Sequence, residues 1–136
     1  MCNNSLIFMT TTTESSVLAN GVIPLTTIQR RRNRYIQNGN NSIILGAPGY
    51  YKFNCSVTVT APAAGDISIK LQKNGTDIPG ITATSTISTA STEYRTLSIS
   101  GIIRVYFNEG TSAISLINSG IASTIQNVSL DIEYLG

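Results

Sequence analysis

The stretch NSIILGAPGYYKFNCSVTVT, residues 41–60, decides the fold. Two apolar runs meet at a Gly46-Ala47-Pro48-Gly49 break. Proline fixes φ and holds the residue before it extended, while glycine reaches angles that a Cβ resists. Pro48 and Gly49 therefore read as a stiff structural corner. Beyond it Tyr51, Phe53, Cys55, Val57 and Val59 share one face. Tyr50, Lys52, Asn54, Ser56 and Thr58 share the other. A period of two with one apolar and one largely polar face is the pattern of an antiparallel sheet.

The same pattern extends outward in both directions. Downstream, APAAG ends the run, DISIKLQ directs Ile67, Ile69 and Leu71 inward, and Asn74-Gly75 predicts a hairpin. The hydroxyl-rich stretch 77–101 reads as half-buried at best. A strand, a turn at Asn108-Glu109-Gly110 and a second strand follow, and Val128, Leu130, Ile132 and Tyr134 share one face of the closing strand. Upstream, SLIFMTTTT predicts a first strand, and residues 14–20 a polar loop closed by Asn20-Gly21. Residues 22–37 read as one extended segment with Pro24 at an edge or a strand start, and 38–41 as a turn. The sum is roughly eight to ten short strands at the spacing of a β-sandwich. The expectation is one all-β domain over residues 1–136, with 1–34 its N-terminal strands and a candidate docking segment.

Composition narrows the function. The chain has 136 residues, enough for a core, and 41% hydrophobic content argues against disorder. Charged residues make up 12%, about half the usual share. A surface so poor in charge suits permanent contact with copies of itself or with a larger assembly. The net charge of +2 is too small to argue for nucleic acid, which is disfavoured as a partner. Histidine is absent, which removes the commonest general base and the commonest metal ligand. No CxxC occurs; Cys2 and Cys55 could form a disulfide, or Cys55 could pack as a small buried hydrophobe with Cys2 exposed. No secretory signal and no bilayer-spanning run is visible, so no membrane partner is expected.

The corner and the strands after it resemble one family. Gly49, Tyr51 and Phe53 match its Gly-x-Tyr-x-Phe corner, Leu71, Asn74 and Gly75 its Leu-x-x-Asn-Gly hairpin, VYFNEGTSAISLIN its strand–turn–strand, and NVSLDIEYL its closing strand. This is the trimeric jelly roll of tumour necrosis factor and of the complement globular heads. Bacterial collagen-like surface proteins and bacteriophage virion proteins carry it too. The likeness covers roughly residues 35–135 and implies an antiparallel jelly-roll sandwich and a homotrimer. Three departures qualify it. No Gly-X-Y repeat precedes the domain. Asp66, Asp77, Glu93 and Glu109 are scattered, so no metal site is carried over. Members are usually extracellular, yet no export signal is seen; a virion protein, made in the host cytoplasm and released by lysis, reconciles this.

The expected function is a non-enzymatic structural protein on a particle surface, a phage head decoration or head-fibre component. The alternative is a glycan- or receptor-binding module of a virion or of a bacterial cell surface. No catalytic residue and no cofactor is assigned: Asp131 and Glu133, at i and i+2, read as a solvated face rather than a glycosidase pair. Tyr50, Tyr94 and Tyr106 could stack on a sugar, or line subunit contacts. Ile102, Tyr106, Tyr134 and Leu135 are the expected trimer contacts. Arg30, Arg31, Arg32 and Arg34 form the one charge run. It reads as an edge strand guarded by charge, a dock for an acidic surface such as a capsid, or, last, a nucleic-acid contact.

Overall fold

The computed structural model describes residues 6–32, 35–38, 42–46, 48–108 and 112–135, with backbone alone for 30–32 and 35–38. Cys2, Arg34, Ala47, the turn residues 39–41 and Glu109-Gly110 lie outside the described residues. There are eleven strands: β1 Leu6–Thr11, β2 Ser15–Val17, β3 Thr27–Arg32, β4 Tyr35–Asn38, β5 Ser42–Leu45, β6 Gly49–Thr60, β7 Gly65–Lys73, β8 Thr76–Ile87, β9 Arg95–Val105, β10 Ser112–Asn118 and β11 Ser123–Tyr134. They form two antiparallel sheets, β3-β1-β11-β6-β9 with β2 also on β11, and β4-β5-β10-β7-β8. This is the jelly-roll sandwich that the alternation predicts. Among the described residues no helix is long and apolar enough to cross a membrane.

The corner passes the chain from β5 in one sheet to β6 in the other. Gly49 sits at φ +138°, a conformation that favours glycine. The Tyr134 hydroxyl donates to the Pro48 carbonyl at 2.7 Å, and its ring lies 5.0 Å from that of Tyr51. Beyond the corner Tyr51, Phe53, Cys55, Val57 and Val59 are buried. They meet Ile67, Ile69 and Leu71 of β7, Ile114 and Leu116 of β10, and Val128, Leu130 and Ile132 of β11 in one cluster. Asn74 and Gly75, both at positive φ (53° and 81°), close the β7–β8 hairpin. Asn74 ties its tip to β10: its N–H donates to the Ala113 carbonyl and its Oδ1 accepts from the Ala113 N–H, each at 2.8 Å.

Three stretches depart from the expectation. The polar loop 14–20 contains β2, whose three residues pair with the start of β11. The segment 22–37 is not one extended run. β3 pairs with β1 in one sheet and β4 with β5 in the other, so the chain changes sheets between Arg32 and Tyr35. Thirdly, residues 77–101 are not merely half-buried, since Ile81, Ile87, Leu97 and Ile99 are core residues. β8 and β9 are the edges of facing sheets and close over each other, Ile81 packing where a Cβ on Gly101 would stand (2.7 Å). Pro79 is tolerated because β8 is an edge strand and lacks a neighbour on one side. At Pro79-Gly80 the strand bulges, so that the register jumps from Gln72↔Asp77 to Lys70↔Thr82.

Candidate functional site

Strand pleating settles what the six-stranded sheet shows to the outside. With odd-numbered residues of β6 and β9 turned into the core, the even-numbered ones form the outer face, and in β11 the parity is reversed beyond the register shift between Ile125 and Asn127. Cross-strand register then pairs Ser56 with Ser98 and Ser129, Asn54 with Ser100 and Asp131, and Thr58 with Thr96. The Thr58 and Thr96 hydroxyls are 3.3 Å apart, and the Asn54 amide lies 3.5 Å from Asp131 Oδ2. Because these side chains are short, the middle of the face is a shallow dish of about 330 Å³.

The corner end of the same face is different in kind. Tyr50, Ile102 and Leu135 are exposed there, with Ile102 at 54%. Leu135 is fixed beside Tyr50 by its N–H, which donates to the Tyr50 carbonyl at 2.8 Å. A second hollow, about 210 Å³, lies between β1, β11 and β6, with Leu6 and Phe8 beside Lys52, Asp131 and Glu133.

Of the four residues expected at a trimer contact, Ile102 and Leu135 lie on this face, and Tyr106 is exposed just past the end of β9. Tyr134 is set apart: it is half-buried against the core and braces the corner. Arg30, Arg31 and Arg32 occupy edge strand β3, at register positions opposite Phe8, Ile7 and Leu6. Tyr94 is exposed in the β8–β9 connection, away from Tyr50 in sequence and register.

Several titratable groups are engaged locally. Cys55 is free and buried; burial, then the charge of Asp131, pushes its thiol up to about 12, which leaves it protonated and inert at neutral pH. Hydrogen bonds from Gln72 and then Lys70 hold the Asp77 carboxyl below its ordinary range. Backbone N–H groups of Thr89 and Ser88, and then Arg95, do the same for Glu93. Asp66 accepts from the Thr86 hydroxyl at 2.9 Å. Among the described residues no three His, Cys, Asp or Glu gather as a metal site.

Two features had no clear signal in the sequence. Arg104 of β9 stacks on the rings of Tyr106 and Tyr50 at 4.5 and 5.3 Å, a contact that depends on the β6–β9 register. Asn118, 1% exposed, knots two loops together by donating to the carbonyls of Val17 (3.1 Å), Leu18 (3.3 Å) and Ile121 (3.0 Å) and accepting from Gly120 N–H (3.1 Å).

No protein-family pattern and no curated protein sequence matches this chain. Solved structures do. The globular domain of a zebrafish complement 1qA protein superposes with a TM-score of 0.72 at 7% identity, over 97% of this chain and 98% of its own. Murine APRIL gives 0.70 at 12% identity, over 98% and 100%. The TNF protein Eiger from S. frugiperda gives 0.69 at 10%, over 98% and 92%. At such identities the likeness is one of fold, and it spans the whole domain. The chain folds as a jelly roll of the tumour necrosis factor and complement globular-head type.

Proposed function

We propose that this chain is a non-enzymatic structural protein that assembles as a homotrimer through the outer face of its six-stranded sheet and covers the surface of a particle. The observation that carries the reading is the composition of that face. Its middle is a dish of small hydroxyl side chains, and its corner end leaves Tyr50, Ile102 and Leu135 exposed in a chain only 12% charged. Short side chains let another backbone come close, and the exposed apolar groups gain by being covered. A three-fold ring needs a heterologous contact between unlike patches, and a face with a dish at its middle and apolar knobs at its corner end supplies both. The jelly roll it resembles is a trimer-forming one, which supports three copies over two.

The finer reading is a phage head decoration or head-fibre protein on the virion surface; the bacterial cell surface is the alternative location. The low charge and the hydroxyl-rich exterior support a life inside an assembly. Arg30, Arg31, Arg32 and Arg34 are the proposed dock, because guanidinium groups fork onto carboxylates and three copies multiply a modest contact by avidity. Sedimentation equilibrium of the chain tests the assembly: the expected mass is three times 14.5 kDa, and a clean monomer at micromolar concentration overturns the proposal. Mass spectrometry of purified virions tests the particle. A decoration protein is present in many tens of copies and a receptor binder in few.

A further inference from the structure

Among the described residues the two sheets end in β3, β9, β4 and β8, and the first three of these edges are guarded. β3 carries Arg30, Arg31 and Arg32, β9 carries Arg95 and Arg104, and β4 is only four residues long. Charge and shortness are the usual defences of an open edge. β8 is different. It runs for twelve residues at the end of the five-stranded sheet, with β7 as its strand neighbour on one side. Pro79 and the bulge beside it interrupt the hairpin half alone. From Ile78 to Thr92, between Asp77 and Glu93, no residue is charged. Within this stretch Ile81-Thr82-Ala83-Thr84-Ser85-Thr86-Ile87 reads nearly the same in both directions about Thr84. Thr82, Thr84 and Thr86 are exposed on one side of the strand, while Ala83 and Ser85, on the other, are small and half-buried. The three threonine hydroxyls are already bonded to β7. Thr82 donates to the Ile69 carbonyl at 2.9 Å, Thr84 shares a 3.0 Å bond with Ser68, and Thr86 donates to Asp66 Oδ1 at 2.9 Å. Covering the edge therefore strands none of these hydroxyls.

We infer that β8 is a docking edge for a second copy of itself, the two strands pairing antiparallel about a two-fold axis at Thr84. Such a contact uses one patch twice, so the strand that makes it must be its own complement. Centred on Thr84, the register sets Ile81 against Ile87, Thr82 against Thr86 and Ala83 against Ser85, each pair twice. Threonine against threonine is a favourable cross-strand pair. The backbone N–H and C=O groups that an edge leaves open find partners in the other edge. Charge points the same way. An uncharged edge offers nothing to an acidic or basic partner, whereas a copy of itself brings no like charge to oppose it. β8 belongs to the five-stranded sheet, and the three-fold contact is placed on the six-stranded one, so the two can form together. Jointly they link trimers into a net over a surface. That extension rests on the proposed three-fold reading, and the pairing itself does not.

The test is sedimentation velocity of the full chain over a range of concentrations. A contact one strand wide falls below the roughly 1,200 Å² of stable complexes, so a Kd of about 0.1 mM is expected. Between about 10 μM and about 1 mM the mass should therefore at least double from the unit that the dilute chain forms. That is trimer to hexamer, or monomer to dimer. A mass that does not grow over this range overturns the inference. Thr84→Lys and Thr84→Glu each set two like charges opposite one another on the axis, and each should weaken the association about tenfold. An equimolar mixture of the two variants sets an ammonium against a carboxylate and should recover the parent's association to within about threefold. Thr84 is exposed, so each variant alone should keep the parent's dilute unit and thermal midpoint. Unchanged association in either single variant overturns the inference, as does a mixture that associates no better than its components. A dilute monomer whose mass still doubles, and whose pairing the mixture restores, would refute the three-fold contact and support the edge.

Discussion

Replacing Asn118 by leucine should be among the costliest single changes outside the apolar core. The residue acts twice. Its backbone N–H donates to the Gly21 carbonyl at 2.9 Å, its own carbonyl accepts from Asn20 N–H at 2.8 Å, and the neighbouring Leu116 carbonyl accepts from Ile23 N–H at 2.8 Å. These bonds seat the segment that delivers Ile23 and Leu25 to the core. Its side chain then joins Val17, Leu18, Gly120 and Ile121. Leucine has nearly the same shape and none of the polar atoms, so four hydrogen bonds go and little cavity is left. The bond to Val17 is buried, so its carbonyl loses a donor with no water to replace it, at about 1–3 kcal/mol. The other three are partly open to solvent and cost about 0.5–1 kcal/mol each. The sum, about 2.5–6 kcal/mol, is a large part of the roughly 5–15 kcal/mol a domain has. For a chain of this size it lowers Tm by about 10–20 °C. Ser119→Ala removes only the 2.8 Å contact with Ser68 and should cost under about 1 kcal/mol. Asn118→Asp adds a sign test. The introduced carboxylate faces three carbonyl oxygens, which raises its folded pKa above the unfolded value. Its penalty is therefore full at neutral pH and shrinks as the pH falls through the raised value. Calorimetry of the three variants decides: a Tm loss for Asn118→Leu below about 3 °C, the scale of a surface change, would refute the knot.

Gly49→Val should cost about 1–3 kcal/mol through strain at φ +138°, and a thermal midpoint within about a degree of the parent would show the corner to be ordinary loop. In a Cys2→Ser background, Cys55 should resist alkylation at pH 8 in the folded protein and react on unfolding, because burial pushes its thiol up to about 12; stoichiometric labelling of the folded chain would contradict this. The folded pKa of Glu93 is held below its unfolded value, so its contribution to stability is present above the unfolded value of 4.5 and lost as the pH falls through the folded one. Glu93→Gln should flatten the acid limb of the stability profile, and an unchanged limb would argue against a stabilising role for the Thr89 and Ser88 N–H contacts. On the proposed docking role, changing Arg30, Arg31 and Arg32 together to serine should leave the chain folded and abolish its attachment to a particle; normal attachment that resists high salt would make the cluster a guard of the β3 edge alone.

Much of the fold is legible in the sequence because alternation is a local signal. In β6 the residues from Tyr51 to Val59 at every second position are the buried ones, and the same holds in β7 and in β11 from Val128 on. What escaped is what depends on partners distant in the chain. The hydroxyl-rich strands β8 and β9 look half-exposed one residue at a time, since their even spacing of Thr and Ser hides the four isoleucine and leucine residues that the opposing edge covers. The change of sheet between β3 and β4 is invisible for a similar reason, because both halves are extended and only their pairing, with β1 and with β5, differs. The same limit applies more strongly to the functional surface. Ile102 and Leu135 could be placed on an outer face from parity alone, and they lie there. Tyr134 shares a face with Val128 and Ile132, and only its contact with Pro48, 86 residues earlier, shows that it braces the corner. The stack on Arg104 needs still more, since Tyr50 and Arg104 become neighbours only through the β6–β9 register. A side chain's chemistry can be read where it stands, but a site made of edges can be read only after the sheets have closed.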